Sequence, residues 1–280
     1  MCKPEVTWSV RGRELKLNRV LVMGIVNVTP DSFADGGQYF HHANALDHAR
    51  RLIDDGADII DIGGESTRPG ADEVPVEEEL KRVVPLIEAL AGCGVPLSVD
   101  TSKPEVMRAA LAAGASIIND VHALRRENAL DAVAASNCGV ILMHMQGTPR
   151  TMQDAPSYGN VTDEVAHFLA QRIEHARAHG IDIARIAVDP GFGFGKSIEH
   201  NFTLLSELSA LKRMQRPLVV GISRKSMLAA ANGRAADDRV AASVAAALLA
   251  AERGANLVRV HDVAATRDAL AMLKMVQPLQ

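Results

Sequence analysis

Eight short apolar segments recur along this 280-residue chain, with helically spaced apolar residues between them. They occupy residues 20–27, 57–62, 95–99, 116–118, 139–143, 186–188, 218–220 and 256–260. A segment that is apolar on both alternating faces is typical of a strand buried on both sides, as in a parallel sheet covered by helices. Strands and helices that alternate in this way, without a linker, predict a single (β/α)8 barrel. A doubly wound open sheet is the alternative, because the sequence does not show whether the sheet closes.

A short β-hairpin is predicted before the first of these segments, over about residues 6–18, because apolar and polar residues alternate there around Gly12 and Arg13. We expect this hairpin to plug the amino end of the barrel. The barrel itself is predicted over about residues 19–277, and the whole chain, 1–280, is predicted to be one domain.

The charge balance excludes several classes of partner. A formal net charge of -4 gives no basic surface for nucleic acid or anionic lipid. No apolar segment approaches the roughly 18 residues that a membrane helix needs, and the first residues lack the apolar core of a signal peptide. We therefore expect a cytoplasmic protein that binds neither nucleic acid nor membrane. The three cysteines, Cys2, Cys93 and Cys138, are widely spaced, which argues against a disulfide or a zinc site.

Polar residues stand where each apolar segment ends. They are Asn27, Asp61, Asp100, Asn119, His144, Asp189, Lys225, Arg259 and His261. A single aspartate after a strand is usually a helix cap. The same kind of position filled on every strand indicates a binding site instead, because barrel enzymes assemble their sites from the carboxyl ends of the strands.

The chemistry of these residues predicts a ligand with two halves. Asp100, Asp189 and Asn119 offer the acceptors and donors that read the edge of an aminopyrimidine-like ring. A second group suits a phosphate or diphosphate, and it consists of Asn27, Arg68, Arg259 and His261. A network of salt bridges that closes the barrel mouth remains the alternative interpretation of the same residues.

Two apparent motifs do not carry a function. The segment 191–197 resembles a phosphate-binding loop, but Pro190 stands where that motif requires glycine. We expect its glycines to let the backbone approach a flat ligand and to let the loop that carries Phe194 move. His41 and His42 are adjacent, so their side chains diverge on a helix, which argues against a metal site.

Eight sequence blocks together resemble the dihydropteroate synthase family. They are MGIVNVTPDSFADGG at 23–37, DIGGESTRPGA at 61–71, VDTSKP at 99–104, IND at 118–120, HMQG at 144–147, DPGFGFGK at 189–196, SRKS at 223–226 and RVHD at 259–262. The resemblance extends from about residue 20 to 270, with all blocks in the family's order. It implies condensation of 6-hydroxymethyl-7,8-dihydropterin diphosphate with para-aminobenzoate, to give 7,8-dihydropteroate and diphosphate for folate synthesis.

The resemblance also implies roles for individual residues. The pterin would be held by Asp100, Asn119, Met143, Asp189, Lys225 and Arg259. The aminobenzoate and its covering loops would involve Asp31, Phe33, Thr67, Arg68, Pro69, Phe194 and Ser226. Diphosphate would meet Asn27, Arg68, Arg259 and His261. A magnesium ion would meet Asn27, and the catalytic residues would be Asp100, Lys225, Arg259 and His261.

The family is thought to lose diphosphate first and to form a pterin-methyl cation that the amine then attacks. Three alternatives remain open at this stage: a methyltetrahydrofolate-type methyltransferase, Schiff-base chemistry at Lys225, and a non-catalytic pterin-binding paralogue. The apolar helices after residue 238 carry Val240, Val244, Ala247, Leu248 and Leu249, and together with the resemblance they predict a homodimer.

Overall fold

The computed structural model describes residues 7–28, 38–67, 70–148 and 150–276. The N-terminal hairpin is confirmed, with strands β1 (Thr7–Val10) and β2 (Arg13–Lys16) paired antiparallel. Within the described ranges no helix is both long and apolar enough to cross a lipid bilayer.

Eight parallel strands form the barrel. They are β3 (Leu21–Asn27), β4 (Ile59–Gly63), β5 (Leu97–Asp100), β6 (Ile117–Asp120), β7 (Gly139–Met143), β8 (Ile186–Asp189), β9 (Val219–Val220) and β10 (Leu257–Val260). Their order around the sheet is β8-β7-β6-β5-β4-β3-β10-β9. The two end strands meet through a parallel bridge between Val188 and Leu218, where Val188 N donates to Pro217 O over 2.9 Å. The predicted barrel is therefore confirmed, and the open doubly wound sheet is wrong.

Helices connect successive strands. They are α1 (Gln38–Asp54), α2 (Val76–Leu90), α3 (Pro104–Ala113), α4 (Ala129–Ala134), α5 (Val161–Ala178), α6 (Ile198–Ser206), α7 (Ala229–Asn232), α8 (Val240–Glu252) and α9 (Val263–Val276). Turns of 3-10 helix occupy Ile183–Arg185, Leu208–Met214, Ser226–Leu228 and Ala236–Asp238. Helically spaced apolar residues predicted helices between the strands, and the helices expected after residue 238 are α8 and α9. Shorter helices such as α4 carry too few turns to show a period, so the sequence pattern missed them.

Alternate residues of the barrel strands face opposite sides, and the two sides form two separate apolar clusters. One cluster lies between strands and helices and includes Val22, Ile60 and Ile118. The other fills the amino-terminal half of the barrel interior. We call it the floor, and its strand residues are Leu21, Met23, Ile59, Ile117, Ile141, Ala187, Val219 and Leu257. The separation confirms that these strands are buried on both faces.

The hairpin plugs the amino end of the barrel, as the sequence predicted. Trp8 is fully buried and packs into the floor together with Val10 and Leu17. The indole Nε1 of Trp8 donates to Arg185 O over 2.8 Å. An added side chain at Gly139 would lie only 2.5 Å from Val10 and 3.1 Å from Trp8, so β7 begins with glycine to leave room for the hairpin.

Candidate active site

Two residues beyond the floor, most inward positions of the barrel strands become polar or small. We call this layer the rim, and it consists of Asp61, Asp100, Asn119, Met143, Asp189, Gly221 and Arg259. The step of two residues keeps each side chain on the interior face of its strand. In this way the register that buries the floor also brings the polar strand ends together at the carboxyl end of the barrel.

Arg259 is the centre of the rim. Its Nε donates to Asp61 Oδ2 over 2.6 Å, and its Nη2 donates to Asp100 Oδ2 over 2.9 Å. Asn119 Nδ2 donates to the same Asp61 oxygen over 3.2 Å. Asp61 is fully buried and Asp100 is 9% exposed, so both carboxylates depend on this guanidinium for charge compensation. Three strands are tied together by one side chain.

Two glycines leave the space that these rim residues use. A side chain at Gly63 would meet Asn27 Oδ1 at 3.6 Å and Asp100 Cβ at 3.7 Å, which shows that Asn27 and Asp100 flank the same gap. A side chain at Gly221 would meet the Cβ and Cδ of Arg259 at 3.7 and 3.8 Å. The small residues on β4 and after β9 therefore let longer neighbours reach over the barrel interior.

The titratable groups at and beside the rim have shifted pKa values because they are buried. Burial raises the pKa of Asp100 to about 7, while the Arg259 charge opposes that rise. Burial also raises the pKa of Asp189, against the influence of Lys225. Burial lowers the pKa of Lys225 to about 8, and the Asp189 charge opposes that change. Groups with such shifted pKa values in one cluster are typical of an active site.

The loop after β8 supplies an aromatic wall. Phe194 belongs to a small apolar cluster with Met143, Met145, Met152 and Val121. The ammonium group of Lys225 lies 4.6 Å from the centroid of the Phe194 ring and donates to Phe192 O over 2.5 Å. This arrangement places a flat apolar surface beside a cation, next to the carboxylates of the rim.

Known proteins match this chain over most of its length. A family model described as "Pterin binding enzyme" matches residues 23–261. Dihydropteroate synthase of Escherichia coli strain K12 is 48% identical over 265 residues, which are 94% of each chain.

The chain belongs to the dihydropteroate synthase family. The structure of the Xanthomonas albilineans synthase with 4-aminobenzoic acid is 55% identical and covers 98% of this chain and 100% of that one, with a TM-score of 0.92. The Burkholderia cenocepacia synthase complexed with 7,8-dihydropteroate is 51% identical, with a TM-score of 0.89 and coverage of 97% and 96%. The family predicted from the sequence blocks is confirmed.

Synthase residues at the carboxyl ends of β9 and β10 are tied to one another. His261 Nδ1 lies 3.0 Å from Ser223 Oγ, and that hydroxyl also accepts from His261 N over 3.2 Å. Arg224 forms an ion pair with Asp262, in which Nη2 and Oδ1 are 2.7 Å apart. These contacts fix the imidazole of His261. Ser223 lay inside a quoted block, but its contact with His261 was not predicted from the sequence.

A buried lysine, which no sequence prediction singled out, holds the loop after β4. Lys103 is 4% exposed and forms ion pairs with Glu65 and with Glu79, the latter at 2.5 Å. The Glu65 carboxylate also accepts from Val74 N over 2.7 Å. Because one lysine and one glutamate connect both ends of the segment from Glu65 to Val74, the base of the loop that carries Thr67 is fixed.

Two glycines of segment 191–195 are needed for packing inside the protein, and the approach to a flat ligand expected for this segment stays a prediction. Gly191 has a φ of 68°, and a side chain there would lie 1.8 Å from His144 O. A side chain at Gly195 would lie 2.4 Å from Gln146 O. These two glycines therefore let the loop pack against the backbone that follows β7, and the close approach to a flat ligand is not needed to explain them.

Not every predicted site residue is brought into the rim. Thr67 is half-buried at the start of its loop and Ser226 is exposed at the edge of the site, and their roles stay predictions. Four others, Asp31, Phe33, Arg68 and Pro69, lie outside the described residues, as does Cys2. Cys93 and Cys138 are free thiols. Asp61 is the rim residue that the sequence analysis noted at a strand end without giving it a role.

Proposed function

We propose that this chain condenses 6-hydroxymethyl-7,8-dihydropterin diphosphate with para-aminobenzoate. The observation that supports this most directly is the buried Asp61–Arg259–Asp100 arrangement beside Asn119, at the carboxyl end of the barrel. Carboxylates and an amide that are buried together suit the N–H donors of an aminopyrimidine ring, because charge-assisted hydrogen bonds are strong where water is excluded. Relatives with this fold are described with 4-aminobenzoic acid and with 7,8-dihydropteroate.

The charges of the rim suit the proposed order of bond changes. The bond between the pterin methylene carbon and the diphosphate oxygen breaks, and its electron pair leaves with the diphosphate. The lone pair of the arylamine nitrogen then forms the new carbon–nitrogen bond, and that nitrogen loses a proton. Asp61, Asp100 and Asp189 are three carboxylates near two cations, Lys225 and Arg259, so an excess of negative charge stabilises a cation that develops at the methylene carbon.

Lys225, Arg259 and His261 have different tasks in this proposal. Arg259 uses Nε and Nη2 to hold the carboxylates, and it presents its planar face to the pterin ring. Lys225 meets the pterin while its ammonium group rests beside Phe194. His261, oriented by Ser223, meets the departing diphosphate together with Asn27. No side-chain nucleophile is required, because the amine attacks the carbon directly.

A magnesium ion is the cofactor that we propose. The amide oxygen of Asn27 lies beside the gap at Gly63, as does the rim residue Asp100, and a neutral oxygen there fits an ion that keeps most of its waters. When bound, magnesium supplies positive charge to the diphosphate oxygens. If Asn27 holds it, Asn27→Ala should raise the magnesium concentration for half-maximal rate by about tenfold. An unchanged magnesium dependence would remove Asn27 from this role.

Diphosphate release in the presence of both substrates and magnesium tests the function itself. We expect Asp100→Ala and Lys225→Ala to lower turnover by about tenfold or more, because each removes a charge at or beside the rim. Asp131→Ala and Lys81→Ala are matched controls, since both residues are exposed on the outer helices α4 and α2. Full turnover in either rim variant contradicts the assignment. Trapping of a covalent adduct at Lys225 by borohydride would favour Schiff-base chemistry instead.

We also propose a homodimer formed through α8 and α9. Exposed apolar side chains on these helices include Leu249, Met272, Met275 and Val276, with exposures of 40%, 66%, 81% and 74%. Ala247, which the sequence analysis placed on this face, is buried inside the protomer and does not contribute. Sedimentation that shows a single protomer at micromolar concentration would contradict the proposal.

A further inference from the structure

The loop after β8 is held by an unusual set of hydrogen bonds. Five consecutive carbonyl oxygens, from Gly191 to Gly195, each accept from a side chain. The donors and distances are Lys196 to Gly191 O at 2.8 Å, Lys225 to Phe192 O at 2.5 Å, Gln153 to Gly193 O at 2.6 Å, Lys196 to Phe194 O at 3.2 Å and Tyr158 to Gly195 O at 2.7 Å. The loop conformation is therefore set by side chains from outside regular secondary structure.

Lys196 makes two of these five bonds. It is 2% exposed, and its third polar contact is His144 Nδ1, at 2.9 Å. Three polar partners saturate this amino group in either protonation state. An ammonium group donates to all three, whereas a neutral amine donates to the two carbonyls and accepts from Nδ1–H. Burial lowers the pKa of Lys196, and these three contacts suit both the charged and the neutral amino group.

His144 fixes the same loop from the other side. It is 5% exposed, its backbone N donates to Asp189 O over 3.0 Å, and its ring meets the Phe168 ring edge to face at 4.9 Å. Its backbone oxygen is the atom against which Gly191 packs. These contacts orient the imidazole, whose Nδ1 in turn contacts the Lys196 amino group.

Phe194 in this loop and Lys225 beside it belong to the proposed substrate site. Phe194 carries one carbonyl that Lys196 binds, and Lys225 is bonded to the carbonyl of Phe192. Loss of Lys196 would displace the Phe194 ring, whereas the bond of Lys225 to Phe192 O does not involve Lys196. Asp189 is less dependent on Lys196, because it is anchored in β8 and its Oδ1 accepts from Gly191 N over 2.7 Å.

We propose that Lys196, seated on His144, is a positioning residue that sets the Phe194 ring for the arylamine substrate. The inference rests on the proposed function of the rim. Lys196 touches neither substrate in this scheme. Its contribution is to keep the aromatic wall of the aminobenzoate site at a fixed distance from the pterin-binding carboxylates, so its loss acts on one substrate more than on the other.

Lys196→Met tests this, because methionine keeps the buried chain length and removes the polar head. We expect the KM for para-aminobenzoate to rise by about fivefold or more, and the KM for the pterin diphosphate to change by less than about twofold. Lys81→Met is the matched control and should leave both constants unchanged, since Lys81 is exposed on α2. The fluorescence of Trp8, the single tryptophan at the opposite end of the barrel, reports whether each variant is folded.

A second pair of variants keeps the test decisive if Lys196→Met does not fold. His144→Asn places an amide at the Nδ1 position, which can donate or accept, whereas His144→Leu can do neither. We expect His144→Asn to retain the wild-type KM for para-aminobenzoate within about twofold, and His144→Leu to raise it as Lys196→Met does. The double variant Lys196→Met with His144→Leu should be no worse than the worse single variant, because both remove the same contact.

The inference fails if the wild-type protein forms dihydropteroate and Lys196→Met does so with an unchanged KM for para-aminobenzoate. It also fails if both KM values rise equally, or if His144→Asn and His144→Leu are equally impaired, because a general packing role would produce those results. Absence of product with the wild-type protein is a separate result, and it overturns the proposed function of the rim.

Discussion

The floor and the rim of the barrel lie two residues apart on the same strands, yet they obey opposite rules. Ile59 and Leu257 pack in a dry apolar layer against the hairpin, whereas Asp61 and Arg259 form an ion pair one layer higher. The floor gains stability by removing apolar surface from water. The rim buries charges, and Asp61 and Asp100 tolerate burial because Arg259 compensates them. The residues that stabilise the barrel and the residues of the candidate site therefore lie in adjacent layers of the same strands.

The largest expected effect comes from breaking the rim at Arg259. Arg259→Met leaves Asp61 and Asp100 buried without their cation, so we expect a loss of about 3–5 kcal/mol in the free energy of unfolding near neutral pH. Turnover should fall by about a hundredfold, because a charge next to the reacting groups is lost. Chemical denaturation and steady-state kinetics on the same preparation measure both quantities.

The pH dependence of that loss identifies its cause. Without Arg259 the pKa of Asp100, already raised by burial, should rise further above its unfolded value. A carboxyl group whose folded pKa is raised destabilises the protein increasingly as pH rises from the unfolded pKa to the folded one. The stability difference between Arg259→Met and the wild type should therefore be smaller at pH 5 than at pH 8. An equal difference at both pH values would show that lost packing is responsible.

The second prediction concerns a substitution in the floor that leaves the rim residues unchanged. Trp8→Ala removes a fully buried indole and its hydrogen bond to Arg185 O, and we expect it to lower the free energy of unfolding by about 3–5 kcal/mol. Turnover per folded molecule should stay within about twofold of wild type, because the rim does not touch the hairpin. Trp8→Phe is the milder control. A loss of turnover in the folded fraction would contradict the independence of the two layers.

The smallest expected effect concerns the pH dependence of kcat/KM, which depends on the charges of Asp100 and Lys225. We expect kcat/KM for the pterin substrate to rise as Asp100 loses its proton near pH 7 and to fall as Lys225 loses its own near pH 8, which gives a narrow bell. Burial is the main cause of the raised pKa of Asp100, and the Arg259 charge opposes it. The negative charge of Asp61 raises the same pKa further. Asp61→Asn should therefore move the acid limb to lower pH and leave the basic limb in place. A joint movement of both limbs would contradict this assignment.

Much of the fold could be predicted because the apolar segments and the polar residues that follow them are local features of the sequence. The eight apolar segments correspond to the eight barrel strands, since burial on both faces demands continuous apolar sequence. The polar residues at the strand ends were recognised as one site because parallel strands end at the same edge. Segment 191–197 did not match a phosphate-binding motif, and its sequence did not show that Lys196 contacts His144.

By itself the sequence determined the order of strands and helices, the family, and the residue types that gather at the rim. Only the tertiary structure decided their partners. Arg259 joins Asp61 and Asp100, which are 198 and 159 residues away along the chain, and Lys196 reaches a histidine 52 residues away. Such pairs depend on strand register and on closure through Val188 and Leu218, both of which arise from packing of the whole barrel. Local sequence cannot encode them, because each side chain has many possible partners until the barrel closes.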